Sequence, residues 1–347
     1  MNSTIGLDIG SHSIKLIELL EDKGVYTLHA AGLVPTPVKI MSSNDTKDKE
    51  AVAVAIKKLF SDAVVSNRVV NIALPESQVF TRVIQMPKLS ERELASAIQW
   101  EAEQYVPLPL DQVSLDYSLL QSSSKTGGSV TDTGEMMDVL LVASPKILIE
   151  KYVQILELSD LTVSVAETEI LAATRAMART ITSVKNAIIL SLGAQTSDMA
   201  IVRNGTLAFT RSISAGGEAL SRALSQGFGF EQHQAEEFKR TYGLEKDKLE
   251  GKIVGATKPI MDTIVGEMKR AIAFFQERYK EERVQVVLLS GGTARLPGIV
   301  VYMAEQLGIE TQIANPFIGI KRDSRFLVLD AQGPTFTVAV GLALRHV

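Results

Sequence analysis

The sequence predicts an α/β protein of two similar lobes, with an extra subdomain inserted into the first. Three observations carry this. A three-strand meander opened by a small-residue turn lies at the start of the chain and recurs about 180 residues later. Helices and buried strands alternate after each meander. Between about residues 87 and 160 the texture changes, with new helix starts, prolines and a Ser/Thr/Gly-rich stretch.

In the first meander Ile5, Leu7 and Ile9 form an apolar row, Gly10-Ser11-His12-Ser13 turns, and Ile14, Leu16 and Leu19 return. Asp22-Lys23-Gly24 leads into a third strand over residues 25–34. Residues 50–60 read as a helix with Val52, Ala55 or Ile56, and Leu59 on one face; residues 69–74 and 79–86 read as strands. Ser90 and Glu93 make a capping box for a helix to about residue 103, stopped by Pro107 and Pro109. Strands over 113–120 and 137–143 flank a loop at 121–133. Pro145 opens a helix to about 158, followed by a strand at 161–166 and a helix at 167–179.

The second meander spans residues 187–213, with Asn204-Gly205 as its hairpin turn. Helices follow to about 227, over 231–242 and over 259–279, the last with Ile264, Met268, Ile272 and Phe275 as its stripe. A buried strand at 284–289 runs into Ser290-Gly291-Gly292, and helices close the chain at 297–307 and 335–344.

Composition narrows the function. The chain has 347 residues, is 46% hydrophobic and 22% charged, and carries a net charge of −4. These values describe an ordinary soluble globular protein and argue against general nucleic-acid or membrane-surface binding. No cysteine is present, which excludes disulfides, thiolate metal sites and cysteine nucleophiles. The four histidines have no metal-ligand spacing. No apolar run reads as a membrane span and no signal-peptide pattern opens the chain, so the expectation is a cytoplasmic protein.

The first turn carries the chemistry. Gly10, Ser11 and Ser13 let backbone N–H groups converge on an anion, and Lys15 brings a point charge to a phosphate. Asp8 would repel that phosphate unless a cation, naturally a hydrated Mg²⁺, stood between them. Alone, the segment also fits an ordinary hairpin with a polar tip. It is neither a Walker A sequence nor a Rossmann fingerprint. Two later turns, at residues 193–196 and 290–295, are its partners.

In this order the three turns resemble the first phosphate, second phosphate and adenosine loops of the actin-like ATPase superfamily, which includes actin, sugar kinases and FtsA. The resemblance implies an actin-like fold of duplicated ribonuclease-H-like lobes with an FtsA-type insertion. It narrows at Met86-Pro87-Lys88-Leu89-Ser90 and Ile98-Gln99-Trp100-Glu101-Ala102-Glu103-Gln104-Tyr105-Val106-Pro107, which is similar to the signature of the PilM family of type IV pilus assembly. It covers essentially the whole chain. Taken alone, Trp100 and Tyr105 also fit as core aromatics.

The resemblance implies a first lobe core (residues 1–86 and 161–186), an inserted subdomain (87–160), a second lobe core (187–215 and 284–347) and a second-lobe subdomain (216–283). It implies ATP or ADP with Mg²⁺: Asp8 near the metal, Gly10, Ser11, Ser13 and Lys15 at the phosphates, and Gly193, Ala194 and Thr196 on the second loop. Gly216, Gly217 and Glu218 would lie by ribose and base, and Gly291, Gly292 and Arg295 would close over the adenosine. Glu267 and Arg270 would flank the adenine, unless they form a solvated helix face, and Glu167 would orient the attacking water. One departure stands out. The family's second phosphate loop begins Asp-x-Gly, and here Ser191 holds that aspartate's place. Phosphoryl transfer depends on positioning and charge, so the expectation is nucleotide binding with slow hydrolysis or none.

The implied partner is a PilN-like bitopic membrane protein, whose N-terminal segment binds a groove between insertion and first lobe, alongside other pilus assembly proteins. An active ATPase or small-molecule kinase of the same superfamily is the alternative, since fold alone does not separate them. A membrane-bound filament is a third reading. The chain ends at Arg345-His346-Val347 without an FtsA-like amphipathic helix, so membrane contact is expected only through the partner, at the inner membrane, and self-association stays open.

Overall fold

The computed structural model describes residues 2–38, 43, 45–120, 136–280 and 282–345. The loop expected at 121–133 lies outside them. Strands β1 (Asn2–Ile9), β2 (Ser13–Asp22) and β3 (Val25–Pro35) form the first antiparallel meander. Helix α1 (Thr46–Asp62) starts four residues before its apolar stripe suggests, because the Asp45 side chain accepts the Lys47 N–H and caps it. Strand β4 (Val69–Leu74) then runs parallel to β1.

The insertion is a separate sheet. Strands β5 (Phe80–Pro87), β6 (Val113–Leu120) and β7 (Met136–Pro145) pair antiparallel in the order β5-β7-β6, and helix α2 (Glu91–Tyr105) packs on them. The Ser90–Glu93 capping box forms. Trp100 is 73% exposed, so it is no core aromatic. Helix α3 (Lys146–Leu158), strand β8 (Thr162–Thr168) and helix α4 (Glu169–Met177) return to the first lobe.

The second lobe repeats the design with β9 (Asn186–Leu192), β10 (Ser197–Arg203) and β11 (Thr206–Ile213). Helices α5 (Gly217–Phe228), α6 (Gln232–Tyr242) and α7 (Lys252–Arg278) follow. Strand β12 (Val286–Ser290), helix α8 (Ile299–Leu307), strands β13 (Glu310–Ile313) and β14 (Ile320–Lys321) and helix α9 (Thr337–Ala343) complete the chain. The sheets run β14-β3-β2-β1-β4-β8 and β11-β10-β9-β12-β13. Meander, then two parallel strands, is thus the order in both lobes.

Packing departs from the sequence division at several points. Leu148, Tyr152 and Ile155 of α3 join Val52, Ile56 and Leu59 of α1 in the first-lobe core, and β5 begins at Phe80. The insertion sheet therefore starts earlier than residue 87 and ends before α3. Helix α7 begins seven residues before Pro259, because Ile253 is buried against Leu224 and Ala235 and outweighs the proline. The run Ser324–Ala343 is long and apolar enough to cross a membrane by length and composition, but 67% of that window is buried inside the fold. Its C-terminal third, α9, packs between β1 and α4 of the first lobe, joined by Ala172, Ala173 and Met177.

Candidate functional site

Each lobe presents its first hairpin turn to a cleft between them. Register places Asp8 on β1 opposite Lys15 on β2, with Nζ 3.0 Å from Oδ2 and both largely buried. The Gly10 N–H donates to the Ser13 carbonyl (3.1 Å), and Thr36 ties the turn down by donating Oγ1 to the Gly10 carbonyl (2.7 Å) and its N–H to that of His12 (3.0 Å). In the second turn the Gly193 N–H donates to the Thr196 carbonyl (2.9 Å). The Gly193 carbonyl accepts both the Gly217 N–H and Thr293 Oγ1, each at 2.9 Å, so three segments meet on one oxygen. Gly291 has φ +84°, and a Cβ there would stand 2.4 Å from the Leu192 carbonyl oxygen. Only glycine fits both demands.

These turns enclose a cleft of about 500 Å³. Asp8, Gly10, Ser11, Ser13 and Lys15 line it from the first lobe; Gly193, Ala194, Thr196, Gly217, Glu218, Gly291, Gly292 and Arg295 line it from the second. Gly216 stands behind it, packed on the Ala194 carbonyl, where a Cβ would approach to 2.7 Å.

Three expected residues lie elsewhere. Glu267 and Arg270 pair with each other, and Glu267 also with Arg211 of β11, away from the cleft lining. Strand β8 continues two residues past its expected end, so Glu167 belongs to the strand and bonds Arg175 (2.6 Å) and Arg345 (2.5 Å), fastening the chain's end to the first lobe. Glu169, two residues on, lines the cleft instead.

The cleft also holds residues the sequence did not single out. Glu236 and Lys239, one turn apart on α6, line it together with Arg240. Lys239 Nζ donates to the Gly217 carbonyl (2.9 Å), Ser221 Oγ (3.0 Å) and Glu236 Oε2 (2.5 Å). Burial alone would raise the Glu236 carboxyl, but the hydrogen bonds from Lys239 and Ser221 and the Lys239 charge hold it at about 2. Burial, partly offset by Glu236, lowers Lys239 from its ordinary value. Lys239→Met is expected to cost roughly 1–3 kcal/mol, because it removes the buried charge that compensates Glu236 and leaves that carboxylate only Ser221 and Arg240 as donors. A urea midpoint equal to wild type would refute this.

Asp198 on β10 faces Ser191 across the hairpin register. Its carboxylate accepts from Thr196 Oγ1 (3.0 Å) and from Ser212. Burial pushes it up to about 6 despite those bonds. Burial, then the charges of Asp198 and Asp8, raise Glu169 well above the carboxylate range, and burial and Asp198 push the neighbouring Glu76 up to about 8. Asp8, Glu169 and Asp198 thus line the cleft with Lys15, and Glu76 is buried behind them. Among the described residues no three His, Cys, Asp or Glu are placed to hold a metal ion.

Duplicated sheets, paired hairpin turns and a Gly-Gly turn around an interlobe cleft define the actin-like ATPase fold. The fold is shared with the EutJ ethanolamine utilization protein of Carboxydothermus hydrogenoformans (TM-score 0.60, 16% identity, 99% of this chain and 90% of that one). It is also shared with MreB5 of Spiroplasma citri bound to AMPPNP (TM-score 0.50, 15% identity, 98% and 95%). FtsA of Bacillus subtilis is 21% identical over 363 residues, covering 93% of this chain and 81% of that protein. A family model described as type IV pilus assembly protein PilM matches residues 6–347, and the chain belongs to that family. A solved PilM–PilN type IV pilus biogenesis complex superposes with TM-score 0.85 at 27% identity, over 99% of this chain and 98% of that one.

Proposed function

We propose that this protein is an ATP-binding scaffold of the type IV pilus inner-membrane assembly complex, held at the membrane by the N-terminal cytoplasmic segment of a PilN-like partner. The observation that carries the nucleotide half is the meeting on one cleft of the first hairpin turn with the second-lobe turns, the latter tied together at the Gly193 carbonyl. Backbone N–H groups of the two hairpin turns and Lys15 would hold the phosphates, and Asp8 would orient the water shell of Mg²⁺. Mg²⁺ would neutralise phosphate charge beside Asp8. The likeness to the PilM–PilN complex supports the partner, as do the exposed apolar Tyr117 and Leu119 on β6 and Met136 on β7 of the insertion sheet.

Hydrolysis is expected to be slow. Ser191 brings no charge, both Asp198 oxygens are engaged by hydroxyls, and burial with the charges of Asp198 and Asp8 raises Glu169 well above the carboxylate range. The test is bound nucleotide on the purified protein, then ADP formed over hours with Mg²⁺. Asp8→Ala should weaken Mg²⁺-dependent ATP binding by about 10–100-fold. Turnover in the kinase range of about 1–100 s⁻¹ would favour the active-ATPase reading, with Asp198 standing in for the missing acid.

A further inference from the structure

Trp100, the single tryptophan of the chain, stands exposed on the outer face of α2, with no ring or cation contact among the described residues. Leu94, Ile98 and Ala102 turn the opposite face of the helix into the insertion core, against Ile84, Val139 and Leu141. Val83 and Leu140, on the other side of that sheet, join the core shared with the lobes. The Trp100 face is thus turned away from both lobes. Exposed Glu103 and Gln104 follow three and four residues on, and so lie beside the indole on the helix. Neither Glu101 nor Glu103 has an ion-pair partner among the described residues. Negative charge gathers here. Residues 91–116 hold Glu91, Glu93, Glu101, Glu103, Asp111 and Asp116 against one basic residue, Arg92, in a chain whose acids and bases nearly balance, 40 against 36.

We propose that this face docks a Lys/Arg-rich cytoplasmic segment of an inner-membrane protein, with an arginine stacked on Trp100 and paired with Glu103. This rests on the reading above that holds the chain at the inner membrane. Tryptophan is enriched among the residues that carry the energy of protein interfaces. A guanidinium meets both needs of the pair, because it stacks on an indole and donates to a carboxylate at once. Tryptophan also favours the lipid headgroup region, but the anionic cytoplasmic leaflet would repel the acids around Trp100. Cytoplasmic segments beside membrane spans carry an excess of Lys and Arg, so charge selects protein over lipid.

The test uses short, labelled peptides tiling the cytoplasmic segments of the inner-membrane pilus proteins of the same organism. Their affinity for the purified full chain would be measured by anisotropy. At least one basic tile should bind, and more weakly as salt is raised. Trp100→Ala should weaken it roughly 5–30-fold, and Glu103→Gln roughly 2–5-fold. Both side chains are exposed, so both variants should unfold at the wild-type midpoint. The N-terminal segment of the PilN-like partner should bind wild type and variants alike. No basic tile binding better than its glutamine-substituted version would overturn the proposal, as would binding that Trp100→Ala leaves unchanged. Loss of the PilN-like segment in Trp100→Ala would overturn it by assigning Trp100 to that groove. Anionic lipid vesicles that bind wild type but not Trp100→Ala would overturn it in favour of the membrane. A wild-type chain that does not bind the PilN-like segment would overturn the assembly reading itself, and this inference with it.

Discussion

Gly341→Ala is expected to destabilise the protein by more than about 3 kcal/mol, a large part of a typical 5–15 kcal/mol total. On propensity alone the change should help, since alanine is about 1 kcal/mol better than glycine inside a helix. Packing reverses the sign. A Cβ at Gly341 would lie 1.8 Å from the carbonyl oxygen of Ala172 on α4. On the adjoining strand, a Cβ at Gly6 would lie 2.0 Å from the Ala339 carbonyl oxygen. Helix α9 is therefore held backbone-to-backbone on both sides, with no flexible side chain to move away. Overpacking in a core commonly costs 1–3 kcal/mol, and contact with main chain exceeds that. Gly255→Ala on α7 is the control, because nothing stands within 4 Å of its Cβ position. It should gain about 0.5–1 kcal/mol. Urea unfolding of the two variants decides the matter, and a Gly341→Ala protein as stable as wild type would sink the account.

The duplicated meanders were legible because alternation and turn residues such as Asn204-Gly205 are local signals. What each element packs against was not. The apolar face of α3 is visible in the sequence, but not that it meets α1 instead of the insertion sheet. Strands β13 and β14, at four and two residues, are too short to show a period. The start of α7 was hidden because burial of Ile253 overrides a proline, a tertiary effect no local rule contains.

The cleft divides along the same line. Its turns were readable, since each is a run of small residues contiguous in sequence. Its acids were not, because Glu169 and Asp198 sit on two segments, with Glu76 buried behind them on a third, that meet only through sheet order. The register of β9 with β10 explains Asp198: the charge missing at Ser191 appears on the facing residue of the hairpin. A closer look at that hairpin could have found it. Glu236/Lys239 and Glu267/Arg270 share one spacing on two helices, and periodicity does not say which helix faces the cleft. Glu167 and Glu169 differ only in where β8 stops.

Stability of the nucleotide-free protein should fall as pH rises from 6 to 8, and Glu76→Gln should abolish much of that fall. Glu76 follows β4 with its carboxyl buried and Oε2 unpaired. Burial first, then the charge of Asp198, push it from 4.5 up to about 8, while Thr168 and Thr81 beside it pull it partway back. The folded chain therefore holds a proton that the unfolded chain releases above about pH 4.5. Its stabilising share is complete below that pH and is lost as pH climbs through 8. Each pH unit in this window is worth about 1.4 kcal/mol, so the loss between pH 6 and 8 is roughly 2–3 kcal/mol. Asp198, raised to about 6, acts in the same direction but largely below this window. Glutamine keeps the shape of the protonated acid and has no proton to lose. Its unfolding free energy should fall less steeply than that of wild type from pH 6 to 8, the remaining fall belonging to Glu169, which burial also raises, and should lie above wild type at pH 8. Equal slopes for wild type and Glu76→Gln in urea melts at pH 6, 7 and 8 would show that Glu76 is not the group that titrates.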